Sequence, residues 1–335
     1  MQIQTAYLGT PLGQKQSQIA GAILAAGTAL PKQVLTSTEL AAEFNVSEDW
    51  IHRRCGIDRR FVASEETTTS LGSVAAANAL AHSSVTPDLL LCATYSPDRI
   101  LTPIAPRIAS LVGLGPIAAF DINAACCGGL TAMLSAFAFI SSGLFRNVLV
   151  VAADTTTKHL AQDDLNTRML FSDGAAAILI GPPDEGGGTL SLKAHRFGSD
   201  GRKFDYFGAD WTQHEKARPT VRMDGPAIYR FAVETGVQIL RELCSDAEID
   251  PSSLNRVIFH QANPRILRAI QEALPIPMDR WPGSLQLGNL ASASLLYLFA
   301  NEFERGVTRK GGQLALVSFG AGLSWVGAIM EVSRT

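Results

Sequence analysis

Two stretches of this 335-residue chain run in the same order at the same spacing. In the first, Cys126 follows "FDINAA" and opens an apolar segment that stops at Gly143, ahead of "FRNVLVVAAD". In the second, Asn289 opens "LASASLLYLFANEFERG", which stops at Gly306 ahead of "KGGQLALVSFG". Opening residue and closing glycine are 17 positions apart in both. Each segment leads into a Val-rich run and a Gly/Ala-rich turn, "FSDGAAAILIG" and "FGAGLSWVGAIM". Ordered self-similarity of this kind marks a duplicated unit. It constrains the chain to two like halves joined near the Pro/Gly/acid stretch "GPPDEGGG" at 181–188. Cys126 and Asn289 then hold equivalent positions that can face one another.

The runs 89–96, 147–154, 175–181, 255–262, 313–320 and 326–332 read as strands, and helix-length patterns at 70–82, 126–142, 225–244, 264–274 and 290–305 lie between them. Strands alternating with helices predict an α/β fold around parallel or mixed sheets. Continuous rather than alternating apolar strands imply sheets covered on both faces. The expected organisation is an N-terminal extension (1–17), a first half (18–182) and a second half (183–335).

Net charge is -3 with Lys and Arg scattered, so nothing marks a nucleic-acid surface. The five cysteines, Cys55, Cys92, Cys126, Cys127 and Cys244, show no CxxC spacing and sit beside no histidine cluster. That pattern points to a reducing, cytoplasmic setting and to no metal site. The N-terminus lacks a basic segment followed by an apolar one and does not read as a secretory signal. "LTAMLSAFAFISSGLF" is too short and too interrupted to span a membrane and suits a buried helix.

In "AACCGG", one cysteine is a nucleophile or both are small packing residues, since free cysteine is commonly buried. A helix N-terminus favours an anion and would lower the thiol pKa there. His260 closes "RVIFH" and Asn289 follows "QLG", both at strand-to-helix junctions, where α/β folds place reactive groups. His260 reads equally as a satisfied strand-end histidine, and Asn289 as a helix cap.

The blocks "DINAACCGG", "MLFSDGAAA", "HQANPRI", "GNLASAS" and "SFGAGLSWVGA" resemble, in order, those of the β-ketoacyl-acyl-carrier-protein synthase III family of thiolase-like condensing enzymes. The resemblance runs from about residue 18 to the C-terminus. It implies a thiolase-like fold, duplicated α/β halves in five layers (αβαβα), a homodimer and no cofactor. It places the nucleophile at Cys126, with Cys127 packing, and completes a Cys-His-Asn set with His260 and Asn289. The N–H groups of Cys126 and Ala321 would form an oxyanion hole, with Phe319 beside the cysteine. By the same resemblance, acyl-CoA would acylate Cys126, and malonyl-acyl-carrier protein would be decarboxylated and condensed to a 3-oxoacyl-acyl-carrier protein. Trp50, Arg54 and Leu101 would contact substrate, Leu101 from the partner subunit, and Arg265 would dock the acidic carrier protein; the segment holding Trp50 and Arg54 reads equally as a solvated amphipathic helix.

Some positions depart from the family pattern. Leu165 stands where an adenine-stacking Arg is common, although Arg168 is near, and Pro226 replaces a pantetheine-contacting Asn. Lys158 and Arg168 read as ordinary surface charges or, alternatively, as partners for a substrate carboxylate. The aromatic, charged segment 201–222 reads as a surface loop or a lid. These departures keep open an unusual primer in specialised metabolism. A non-catalytic partner subunit sits poorly with an intact Cys-His-Asn set.

Overall fold

The computed structural model describes residues 19–183, 188–209, 219–283, 286–308 and 311–333. The extension at 1–17 and parts of the 181–188 and 201–222 segments lie outside the described residues.

The N-terminal part supplies β1 (Ala20–Ala29), β2 (Gln33–Thr36), β3 (Arg59–Val62), β4 (Leu89–Ala93), β5 (Ala118–Ile122), β6 (Val148–Asp154) and β7 (Gly174–Gly181). The C-terminal part supplies β8 (Thr189–Ser199), β9 (Phe207–Ala209), β10 (Val221–Met223), β11 (Arg256–Phe259), β12 (Gly312–Gly320) and β13 (Ser324–Val332). Nine of these strands join in the order β11-β12-β13-β8-β1-β7-β6-β4-β5, while β2 pairs with β3 and β9 with β10. In the first set β1 runs antiparallel to β7, β7 antiparallel to β6, and β6 parallel to β4. In the second, β8 runs antiparallel to β13, β13 antiparallel to β12, and β12 parallel to β11. The two sets therefore repeat one order and one set of directions, and they meet where β1 lies antiparallel to β8.

The helices are α1 (Ser37–Glu43), α2 (Glu48–Cys55), α3 (Thr68–Leu80), α4 (Ala105–Leu111), α5 (Gly128–Ser141), α6 (Leu165–Arg168), α7 (Gly225–Asp246), α8 (Pro264–Glu272) and α9 (Ala293–Glu304). Leu71, Ala75 and Ile108 of α3 and α4 pack on one face of the first strand set. Ile239, Leu243 and Ile270 of α7 and α8 cover the outer face of the second. Between the sets, α5 and α9 share a core through Leu130, Phe137, Leu296 and Phe299. The result is five layers, αβαβα. All residues of β4, β6 and β7 are buried, as continuous apolar strands between helical layers must be.

The two inner helices meet at their beginnings. A Cβ on Gly129 would stand 2.4 Å from the carbonyl oxygen of Ser292, so only glycine admits this crossing. The residue before each opening position is left-handed, Ala125 at φ 47° and Gly288 at φ 82°. The sequence echo is thus a backbone echo, and it brings Cys126 and Asn289 to facing mouths. Neither residue starts its helix: Cys126 lies in a 3-10 turn just before α5, and Asn289 precedes the Ser292 cap of α9.

Candidate active site

Cys126, His260, Asn289 and Phe319 line one cavity of about 730 Å³, together with Arg54, Pro226 and Arg265. Cys126 is buried at 3% exposure, held at the end of β5 by the left-handed Ala125. Its carbonyl accepts a hydrogen bond from Ser318 Oγ at 2.9 Å, which ties the mouth of α5 to β12.

The expectation of a lowered thiol pKa is corrected here. Burial pushes the Cys126 thiol up from its ordinary value, with Cys127 and Asp154 adding to the effect, a direction opposite to the lowering that a helix mouth alone predicts. Cys127 packs into the core between the sheets and lines none of the described cavities; burial pushes its thiol up to about 12.

His260 follows β11, and its N–H donates to Val317 O at 2.8 Å. Its imidazole stands perpendicular to the Phe319 ring, with centroids 5.7 Å apart. Complete burial holds its pKa down at about 3, so the ring is neutral at working pH. Its Nδ1 is buried with no partner among the described residues.

Asn289 forms a bridge with Phe171, donating its N–H to Leu170 O at 2.8 Å and accepting from Ser172 N–H at 2.9 Å. Its Oδ1 accepts from Ala291 N–H (2.9 Å) and Ser294 Oγ (3.1 Å). Both lone-pair directions of the oxygen are used, which leaves the amide NH2 as the end offered to the cavity.

At the cavity edge, Arg54 stacks its guanidinium over Trp50 at 4.2 Å; Trp50 itself stands outside the lining. Arg265 is exposed on the first turn of α8, its guanidinium 5.8 Å from the Tyr229 ring centre. Ala321 borders a second hollow of about 610 Å³, shared with Ala124 and Ala125, while Gly320 takes the place beside Cys126. Leu101 is 93% exposed and touches neither hollow. Phe207, within the 201–222 segment, and Met223, just after it, do reach the main cavity.

Two suggestions fail. Arg168 is held by Glu43 and by Gln162 O, and Lys158 donates to Glu66 O, so neither cation waits for a substrate carboxylate. The sequence reading also missed Asp154 and Arg60, both fully buried. Arg60 donates to Met169 O and Ser37 Oγ, bracing the wall that Met169 and Leu170 give the cavity. A charged residue closing an otherwise apolar strand, as in "VLVVAAD", was the available signal for Asp154. Among the described residues, no group of three or more His, Cys, Asp and Glu is placed to hold a metal ion. No helix among them is long and apolar enough to cross a membrane.

This geometry can be set against known proteins. Residues 120–201, which hold Cys126, match the family described as 3-oxoacyl-[acyl-carrier-protein] synthase III. Residues 244–332, which hold His260 and Asn289, match the C-terminal part of the same family. The beta-ketoacyl-[acyl-carrier-protein] synthase III of Bacillus pumilus is 34% identical over 317 residues, covering 93% of this chain and 99% of its own. The chain belongs to the synthase III family. It is accordingly a condensing acyltransferase with the thiolase-like fold.

Two solved structures bear on the details. The 3-oxoacyl-(acyl carrier protein) synthase III of Pseudomonas aeruginosa PAO1 superposes with a TM-score of 0.86 at 33% identity, covering 94% of this chain and 99% of its own. The priming β-ketosynthase of the R1128 polyketide biosynthetic pathway superposes equally well, at 0.86 and 29% identity, covering 97% and 99%.

Proposed function

We propose that this synthase condenses an acyl primer, delivered as acyl-CoA, with malonyl-acyl-carrier protein to give a 3-oxoacyl-acyl-carrier protein and carbon dioxide. The carrying observation is that a thiol, a neutral imidazole and an oriented carboxamide share one cavity. Cys126 attacks the primer thioester, its proton leaving with the CoA thiol, and holds the acyl group as a new thioester. The carbonyl oxygen would be received by the N–H groups of Cys126 and Ala321, the residue next to the Gly320 that lines the cavity. Malonyl decarboxylation then leaves an enolate oxyanion. Neutral donors suit it: the Asn289 NH2, and the imidazole N–H, which is free to sit on Nε2 because no group among the described residues claims Nδ1. The enolate carbon attacks the acyl carbonyl and expels the Cys126 thiolate.

Arg54 with Trp50 would hold the CoA end, and Arg265 on the rim would dock the carrier. The chain is organised as halves 18–182 and 183–335 after the extension 1–17, a division supported by the repeated strand order. A homodimer is supported by the open edge of β5 and by the exposed Ile100, Leu101 and Phe120 near it, a face that a second copy would cover. Five free, buried cysteines support a cytoplasmic setting.

A second reading, a synthase III homologue loading an unusual primer, is favoured by the equal TM-score, 0.86, to the priming β-ketosynthase. The half-reactions test the core of the proposal. His260→Ala and Asn289→Ala should leave Cys126 acylation within a few-fold of normal while malonyl decarboxylation falls about 10²- to 10³-fold. Equal loss of both steps would contradict the assigned roles. In the same assay, Arg265→Glu should raise KM for the malonyl carrier alone; equal KM for both substrates would remove the docking role.

A further inference from the structure

Asp154 closes β6 with a carboxylate at 0% exposure, and no cation pairs with it among the described residues. Its Oδ1 accepts from Thr94 Oγ1 (3.0 Å), Tyr95 N–H (3.0 Å), Ser96 N–H (3.2 Å) and Ser96 Oγ (2.8 Å). Its Oδ2 accepts from Ser292 N–H (3.0 Å) and Ser292 Oγ (2.5 Å). A buried anion is costly unless it is densely hydrogen-bonded, and here donors from both halves supply that role. The carboxylate is a tether across 138 residues of sequence.

What it tethers matters more than the tether. Ser292 lies three residues after Asn289, in a turn whose Ala291 is left-handed at φ 54°. Ser294 Oγ accepts from Leu290 N–H (2.8 Å) and donates to Asn289 Oδ1, so the turn and the amide form one hydrogen-bonded unit. A non-glycine residue holds that backbone only when its surroundings impose it. The first half holds the start of this unit through the Leu170 and Ser172 backbone bonds to Asn289 and grips its turn at Ser292, through Asp154 and through Ala93 O at 3.1 Å from Ser292 Oγ.

We propose that Asp154 is a positioning residue for the decarboxylating step, acting through Ser292 on the Asn289 amide; this rests on the role given to Asn289 above. It touches neither substrate nor reacting atoms. Loss of the grip would let the 289–294 turn relax and swing the NH2 away from the enolate oxygen, while Cys126, held separately by Ser318 and Ala125, keeps its place.

A double-mutant cycle on the full-length chain separates this from a merely structural role. Ser292→Ala should lower malonyl decarboxylation about tenfold and leave Cys126 acylation unchanged; Asp154→Asn, which also removes a charge that bears on the Cys126 thiol, should lower decarboxylation as much or more. In an Asn289→Ala background, Ser292→Ala should cost nothing further. A second tenfold loss in that background would overturn the proposal, as would parallel loss of acylation and decarboxylation. Should Asp154→Asn fail to fold, Ser292→Ala still decides. Should Asn289→Ala alone leave decarboxylation intact, the role given to Asn289 fails and the proposal with it. An Asn289→Ala collapse with additive Ser292→Ala overturns the proposal alone.

Discussion

A Cβ on Gly320 would stand 2.8 Å from the Cβ of Cys126 and 3.0 Å from its nitrogen. No side chain fits between β12 and the nucleophile, so the thiol's position is set by bare backbone. Gly320→Ala must push one of the two aside. Overpacking of this kind costs about 1–3 kcal/mol of stability. The larger expected effect is chemical: a displaced thiol misses its attack geometry, and the rate of acyl-Cys126 formation should fall at least tenfold. A variant that acylates at the normal rate would show that the contact is slack.

The two glycines after the cysteines should differ sharply. At Gly128 a Cβ meets the side chains of Ala93 and Ser292 at 3.2 and 3.4 Å, whereas at Gly129 it meets the Ser292 carbonyl oxygen at 2.4 Å. Alanine gains at most about 1 kcal/mol of helix propensity at either position, since both lie in the first turn of α5. At Gly128 that gain offsets the tight contact, and stability should change little. At Gly129 backbone must yield, and denaturant unfolding should show a net loss of roughly 2 kcal/mol or more.

Burial at His260 makes stability depend on acid. The folded imidazole stays neutral down to a pKa of about 3, against 6.5 when exposed. As pH falls through 6.5 the unfolded chain takes up a proton that the folded chain refuses, so stability is lost between about pH 6.5 and 3 at up to ~1.4 kcal/mol per unit. Between pH 7 and pH 5, wild type should lose about 2 kcal/mol more than His260→Ala. Equal losses would mean that the ring is already solvated in the fold.

The fold was largely legible because its signals are local. The continuous apolar runs read at 147–154 and 175–181 implied strands covered on both faces, as β6 and β7 are, and the equal spacing from Cys126 to Gly143 and from Asn289 to Gly306 exposed the duplication. β1 was not legible: "AGAILAAGTA" has poor strand propensity and is a strand because β7 and β8 flank it. At the site, Cys126, His260 and Asn289 were found from their junctions and blocks, and they share the main cavity. The ionisation of Cys126 was misjudged because a helix mouth is visible in sequence and the burial around it is not. Asp154 escaped because its partner Ser292 is 138 positions away.

Intact-protein mass spectrometry after incubation with short straight, branched, aromatic and dicarboxylic acyl-CoA thioesters tests the central claim most directly. A single acyl adduct should form with at least one donor, persist in Cys127→Ala and vanish in Cys126→Ala. An adduct that survives in Cys126→Ala and is lost in Cys127→Ala, or the absence of any adduct from acyl-CoA and acyl-carrier-protein donors alike, would contradict it.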